Sequence, residues 1–132
     1  MPSTTPIQTD RAPAAIGPYS QGRMGGGIVF VSGQLGLNPT SGEFVGVDLE
    51  AQARQALENM KAIVHAANCQ LTDVAAVDVF LADMADFVPF NSIYQDFFGD
   101  HKPARAVVAV KTLPKSARVE IKCIALAPSP NP

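Results

Sequence analysis

An α+β fold, with one β-sheet carrying two helices on a single face, is what this sequence predicts, on three observations. Residues 48–67 and 86–98 space their apolar side chains at the helical period, and short β-branched runs of strand length lie around them. Gly, Pro, Asn and Asp mark nearly every junction. The order reads β-β-α-β-α-β-β in one sheet.

Residues 1–12 are polar, rich in Pro and Thr and without apolar periodicity, and read as a loose tail, as do residues 128–132. Ile16-Gly17-Pro18 turns the chain into a short strand at 19–23, Gly25-Gly26-Gly27 turns it again, and 28–32 completes a hairpin. Gly33, Gly36, Asn38-Pro39 and Ser41-Gly42 punctuate the loop that follows. Asp48 then stands at the N-cap position of a helix whose apolar stripe is Leu49, Ala53, Ala56, Leu57, Met60, Ile63, Val64 and Ala67. Gln52, Arg54, Glu58 and Lys61 fall on its other face. Asn68 stops the helix, and 74–81 is apolar and β-branched enough for a buried strand. Asp86 is placed to cap the second helix, with Pro89 in its first turn and the stripe Phe90, Ile93, Tyr94, Phe97 and Phe98 ending at Gly99. Strands at 106–111 and 118–127, joined around Leu113-Pro114-Lys115, complete the sheet. Its open face needs a cover, and partner sheets are the expected one.

A chain of 132 residues supports one domain, spanning 1–132, and is too short for two ordinary ones. With 47% hydrophobic and 17% charged residues it can bury a sizeable core and still leave apolar surface for partner subunits. A net charge of -2 provides no basic footprint, which disfavours a nucleic-acid partner. No basic segment followed by an apolar stretch marks a signal peptide, and no apolar run reaches the length of a membrane span. Cys69 and Cys123 are far apart and without ligand spacing, which suits a reducing compartment, so the cytoplasm is expected. His65 and Cys69 lie four apart on the first helix but lack the further ligands a metal needs, so no metal is expected.

Two charges stand in apolar strand sequence. Arg105 follows Pro103-Ala104 and opens the run 106–110, while Glu120 alternates with Val119, Ile121 and Cys123. If the two strands share a sheet, a guanidinium and a carboxylate can converge on one cleft. The fork of donors suits a substrate carboxylate, and a partly buried glutamate suits proton transfer to or from water. The alternative for Glu120 is a structural ion pair with Arg105, Lys122 or Arg118. Tyr19 either donates through its hydroxyl or caps the sheet edge with its ring. Ser32 has no histidine near it in sequence and reads as a hydrogen-bonding or turn residue, not a nucleophile. Gly33, lacking a side chain, permits close backbone approach to a ligand. Asn91 either points into the cleft or bonds a neighbouring loop, and His101 reads as solvated. Phe87, Phe90, Phe97 and Phe98 are helically spaced and read as core, not as a base-stacking surface.

The blocks Ala14-Ala15-Ile16-Gly17-Pro18-Tyr19-Ser20-Gln21, Val31-Ser32-Gly33-Gln34, Gln52-Ala53-Arg54-Gln55-Ala56, Asn91, Pro103-Ala104-Arg105, Leu113-Pro114 and Val119-Glu120-Ile121 occur in this order. Together they resemble the RidA (YjgF/YER057c/UK114) family of reactive-intermediate deaminases, from about residue 12 to residue 127. The resemblance implies a chorismate-mutase-like fold of the bacillus type, assembled as a homotrimer with clefts between subunits. It implies hydrolysis of 2-imino and 2-enamino acids, such as 2-iminobutyrate and 2-aminoacrylate, to 2-keto acids and ammonia without a cofactor. By similarity, Arg105 holds the substrate carboxylate, Glu120 orients or activates water, Tyr19, Ser32 and Asn91 line the cleft, and the Gly33 backbone faces the ligand. The match departs at Val107, where well-known members carry cysteine. A catalytic thiol is impossible there, whereas backbone contacts from the same position are not. A second reading is a regulatory protein that binds a 2-keto acid in the same cleft; ribonuclease or translation-inhibitor roles, described for family members, sit badly with the acidic charge.

Overall fold

The computed structural model describes residues 3–128. Six strands, β1 Thr5–Ile7, β2 Gly22–Gly25, β3 Ile28–Gln34, β4 Val74–Leu81, β5 Ala104–Ala109 and β6 Val119–Leu126, form one sheet in the order β1-β2-β3-β6-β4-β5. Among the described residues only β4 and β5 pair in parallel, and helix α2, Phe87–Phe98, is the crossover that such a pair requires. Helix α1, Leu49–Ala66, joins β3 to β4. The alternation of the strands sets the layers. Val29, Val31, Val77, Val79, Val119, Ile121 and Cys123 point inward and form one core with Leu57, Met60 and Ile63 of α1 and Phe90 and Tyr94 of α2. Their neighbours Phe30, Val108, Ile124 and Leu126 turn to the other face and stay exposed, Leu126 by 53%.

The segment 3–12 is not the loose tail that the composition of 1–12 suggests, and Met1 and Pro2 lie outside the described residues. Its residues Thr5–Ile7 pair with β2 as an edge strand, and Ile7 and Ala12 are buried. One amide secures the stretch: Gln21 Nε2 donates to the carbonyls of Thr9 (2.9 Å), Ala12 (3.2 Å) and Pro13 (2.8 Å), and Gln21 Oε1 accepts from the Thr9 N–H at 2.7 Å. Beside it Gly22 has to be bare, since a Cβ there would lie 2.8 Å from the Phe30 carbonyl oxygen. Residues 19–21, expected as strand, are therefore loop, and β2 starts at Gly22. At the other end Pro128 is exposed, and 129–132, the rest of the expected tail, lie outside the described residues.

Helix α1 begins as expected, with Asp48 Oδ1 accepting from the Ala51 N–H at 2.8 Å. Gln52 does not join the polar face. It is 3% exposed, its Oε1 accepts from the Arg118 N–H at 2.8 Å, and its Nε2 donates to the Gly46 carbonyl at 3.1 Å. Asn59 is fully buried and donates to the carbonyls of Leu35 (3.0 Å) and Leu37 (2.9 Å). These two amides satisfy backbone groups that partly buried loops leave without partners. Asn59→Ala strips both partly buried carbonyls of a donor, and we expect a loss of about 1–3 kcal/mol of stability. Chemical denaturation measures it, and a change below about 0.5 kcal/mol would show that water replaces the amide.

Asp86 precedes α2 but makes no side-chain cap; its carboxylate instead accepts from Arg118 Nη2 at 3.2 and 3.1 Å. Strand β5 starts two residues earlier than expected, at Ala104, so Arg105 lies inside it. Between β5 and β6 the chain makes a tight turn in which Lys115 and Ser116 both take positive φ, 57° and 58°.

Candidate active site

Glu120 stands on β6, opposite Phe80 of β4, on the exposed face of the sheet. The β3–β6 pairing slips between Val31 and Gln34, so β3 bulges at Ser32-Gly33. The bulge brings Gly33 against the glutamate. A Cβ at Gly33 would overlap Glu120 Oε2 and lie 2.9 Å from its carboxyl carbon, so the space a side chain would need is filled by the carboxylate. The missing side chain thus admits Glu120 itself. Ser32 Oγ donates to the Ser20 carbonyl at 2.6 Å, and its N–H donates to the Gln21 carbonyl at 2.9 Å. These bonds fasten the loop carrying Tyr19 to the strand, the turn-stabilising role expected of this serine. Tyr19, Ser32, Gly33, Leu35, Lys115 and Glu120 line one cavity of about 610 Å³. Burial pushes the Glu120 carboxyl above its ordinary pKa, with the Lys122 ammonium pulling the other way. A carboxyl so placed is a better proton acceptor than one in water.

Arg105 occupies a different place. It pairs in register with Val77, whose side chain is buried under the helices, so its own side chain leaves β5 toward α2. There Nη1 donates to Asn91 Oδ1 at 2.7 Å, and the guanidinium carbon lies 4.7 Å from the centre of the Tyr94 ring and 5.8 Å from that of Phe87. Asn91 therefore bonds the arginine. Asn91, Tyr94, Phe98, His101, Lys102 and Arg105 line a cleft of about 340 Å³. His101 is half-buried, not solvated: its Nε2–H donates to the Val74 carbonyl at 2.7 Å and ties the start of β5 to the start of β4. Val107, two residues along, faces the same way as Arg105 and is partly buried against the core.

The expected convergence of Arg105 and Glu120 in one cleft does not occur within a chain. Strand β4 lies between β5 and β6, and the two residues point from opposite faces of the sheet. Their partners Val77 and Phe80 are three residues apart, which adds an offset of about 10 Å along the strands to about 10 Å across them. Alternation does not reveal this, because the order of strands is not written in the period of any one of them. Tyr19, Ser32 and Gly33 gather with Glu120, while Asn91 and Val107 gather with Arg105. Two further residues shape the halves: Gln21, which holds the loop behind Tyr19, and Tyr94, which supports Arg105. The spacing of Phe87, Asn91 and Tyr94 is a helical i, i+4, i+7 pattern and is legible once an arginine is known to lie opposite.

Among the described residues no cluster of three or more His, Cys, Asp or Glu side chains is placed to hold a metal, and no helix is long and apolar enough to cross a membrane. His65 is exposed while Cys69 is buried, so they do not form a pair of ligands. Burial raises the Cys69 thiol, and it raises that of Cys123 to about 12, which leaves both protonated and unreactive near neutrality.

The family profile described as Endoribonuclease L-PSP matches residues 9–127. A RutC family protein of Pyrococcus horikoshii is 48% identical over 119 residues, covering 90% of this chain and 94% of its own. The 2-iminobutanoate/2-iminopropanoate deaminase of Escherichia coli is 47% identical over 123 residues, covering 91% and 95%. Among solved structures, that of E. coli TdcF with bound serine superposes with a TM-score of 0.90 at 44% identity, covering 94% of this chain and 99% of that one. Profile, sequence and backbone agree over nearly the whole length, and the chain belongs to the RidA/YjgF family, the family of the endoribonuclease L-PSP profile.

Proposed function

We propose that this protein hydrolyses small 2-imino and 2-enamino acids to 2-keto acids and ammonia, at sites shared between copies of the chain in a homotrimer. The observation that carries this reading is the separation of Arg105 and Glu120 onto opposite faces of one sheet, each opening outward. Strand β5 is an edge, and the face that bears Glu120 also exposes Phe30, Ile124 and Leu126. Setting the edge of one copy on the open face of the next is a heterologous contact, which closes into a ring when the rotation allows. It covers apolar surface and places one copy's guanidinium across from the next copy's carboxylate. The relatives named as 2-iminobutanoate/2-iminopropanoate deaminases supply the substrate class.

The reaction follows from the two groups. The guanidinium takes the carboxylate, the one fixed charge of the substrate, and so orients C2. Water adds to C2 of the protonated imine while Glu120 accepts its proton. Glu120 then returns the proton to nitrogen; as the C–N bond of the carbinolamine breaks, its hydroxyl gives up its proton to the Glu120 carboxylate, and the departing ammonia takes that proton away as ammonium, leaving the keto acid. The raised pKa of Glu120 suits a group that must both take and release a proton.

Adding the purified protein to freshly generated 2-iminobutyrate and following 2-ketobutyrate is the test, and a rate no faster than the spontaneous one ends this reading. Glu120→Gln should lower kcat about 100-fold or more while 2-ketobutyrate still binds. In the wild type, kcat/KM should rise as pH rises through a pKa above the ordinary carboxylate range, because the ionised form is the proton acceptor. This limb should vanish in Glu120→Gln. A variant that keeps both turnover and limb would remove Glu120 from the chemistry.

A further inference from the structure

Arg105 lies on an edge strand and is exposed, yet its guanidinium has three neighbours on α2. Phe87, Asn91 and Tyr94 fall at i, i+4 and i+7, one stripe of the helix, and that stripe faces β5. Asn91 takes an Nη1–H at 2.7 Å, and the Tyr94 ring lies under the guanidinium carbon at 4.7 Å. We propose that Tyr94 is a positioning residue for Arg105: its ring, with Phe87 and the Asn91 amide, holds the guanidinium so that its Nε/Nη2 edge is presented to an incoming carboxylate. This rests on the deaminase reading for its kinetic consequence, though not for the cage itself.

A free arginine side chain loses much rotamer freedom when it clamps a ligand, and an arginine already held loses less. The ring face, not the hydroxyl, performs this task. Tyr94 is 8% exposed, and its hydroxyl is buried without a hydrogen-bond partner among the described residues. Burial raises its pKa to about 12 against the opposing pull of Arg105, so the group is a neutral phenol whose quadrupole attracts the cation. A tyrosine placed there only to fill the core would need no guanidinium at its face, and a merely structural role predicts lost stability without a change in KM.

Two substitutions separate these cases. Tyr94→Phe keeps the ring and deletes only the unpartnered hydroxyl, so KM for 2-iminobutyrate should stay within about twofold and the melting temperature should not fall. Tyr94→Leu deletes the ring, and KM should rise about tenfold with kcat nearly unchanged. The ¹⁵Nε–¹H signal of Arg105 should show a ring-current shift in the wild type and in Tyr94→Phe that is lost in Tyr94→Leu. Unchanged KM in folded Tyr94→Leu, or equal impairment by Tyr94→Phe, overturns the proposal. If Tyr94→Leu does not fold, Phe87→Leu, at a half-buried position, takes its place with a smaller rise in KM expected, and an unchanged KM there counts against the cage. Should the wild type fail to accelerate deamination, the deaminase reading falls alone. The Arg105 signal then decides the cage, and an identical shift in wild type and Tyr94→Leu sinks it.

Discussion

Arg105→Ala should lower kcat/KM for 2-iminobutyrate by about 100- to 1000-fold, the scale on which removing one partner of a close charge pair is felt. The loss should fall mainly on binding, with the protein still folded, because Arg105 is exposed and the core beneath it is built from Val77, Val79 and Phe90. Mixing makes the test sharper. Neither Arg105→Ala nor Glu120→Gln retains a working site if every site needs both groups. In hybrid trimers made by denaturing and refolding the two variants together, however, the Arg105 of one chain can face the Glu120 of its neighbour. Activity should return in the mixture to a substantial fraction of the wild type and should be absent from each variant refolded alone. A mixture as inactive as its components would mean that sites are not shared between chains, and the trimeric arrangement would fall with it.

The helices were legible because their signals are local. The Asp48 cap and the stripe from Leu49 to Val64 appear where the period puts them, and so do the aromatic residues of α2. Strand positions shifted by a few residues where a proline or a glycine, not a side-chain period, marks the edge, as at Pro103 before β5 and Gly22 at the start of β2. The edge strand Thr5–Ile7 carries no apolar period; a single distant amide, Gln21, holds the segment beside it, and no local window contains that information. Gln52 falls on the polar face of the helical period, yet it is buried, as is Asn59, because loop backbone that needs partners comes to them. The site divides in the same way. That Glu120 keeps company with Ser32 and Gly33 follows from a bulge, and that Arg105 faces away from it follows from the insertion of β4 between their strands. Residue identities were readable and their juxtaposition was not, because pairing across a sheet is set by the whole chain.

Gly33→Ala is the second substitution with a large expected effect, and it probes the site without disturbing the fold. The φ of Gly33 is not positive, so an alanine can adopt this backbone without strain. What the new methyl would meet is the Glu120 carboxyl group, with Oε2 overlapping and Cγ at 3.2 Å. These atoms end a flexible side chain that can rotate into the adjoining 610 Å³ cavity. Stability should therefore change by less than about 1 kcal/mol, with a small gain available from the stiffer unfolded chain. Turnover is another matter. A proton acceptor displaced by about an ångström no longer meets the water it should deprotonate, and kcat should fall about 100-fold. Because Gly33→Ala would act only through Glu120, it should cost almost nothing further in a Glu120→Gln background, and the two losses should be far from additive. Independent, additive losses would mean that Gly33 contributes through its own backbone contact with the ligand. A melting temperature lowered by more than about 10 °C would mean instead that the bulge needs glycine for folding.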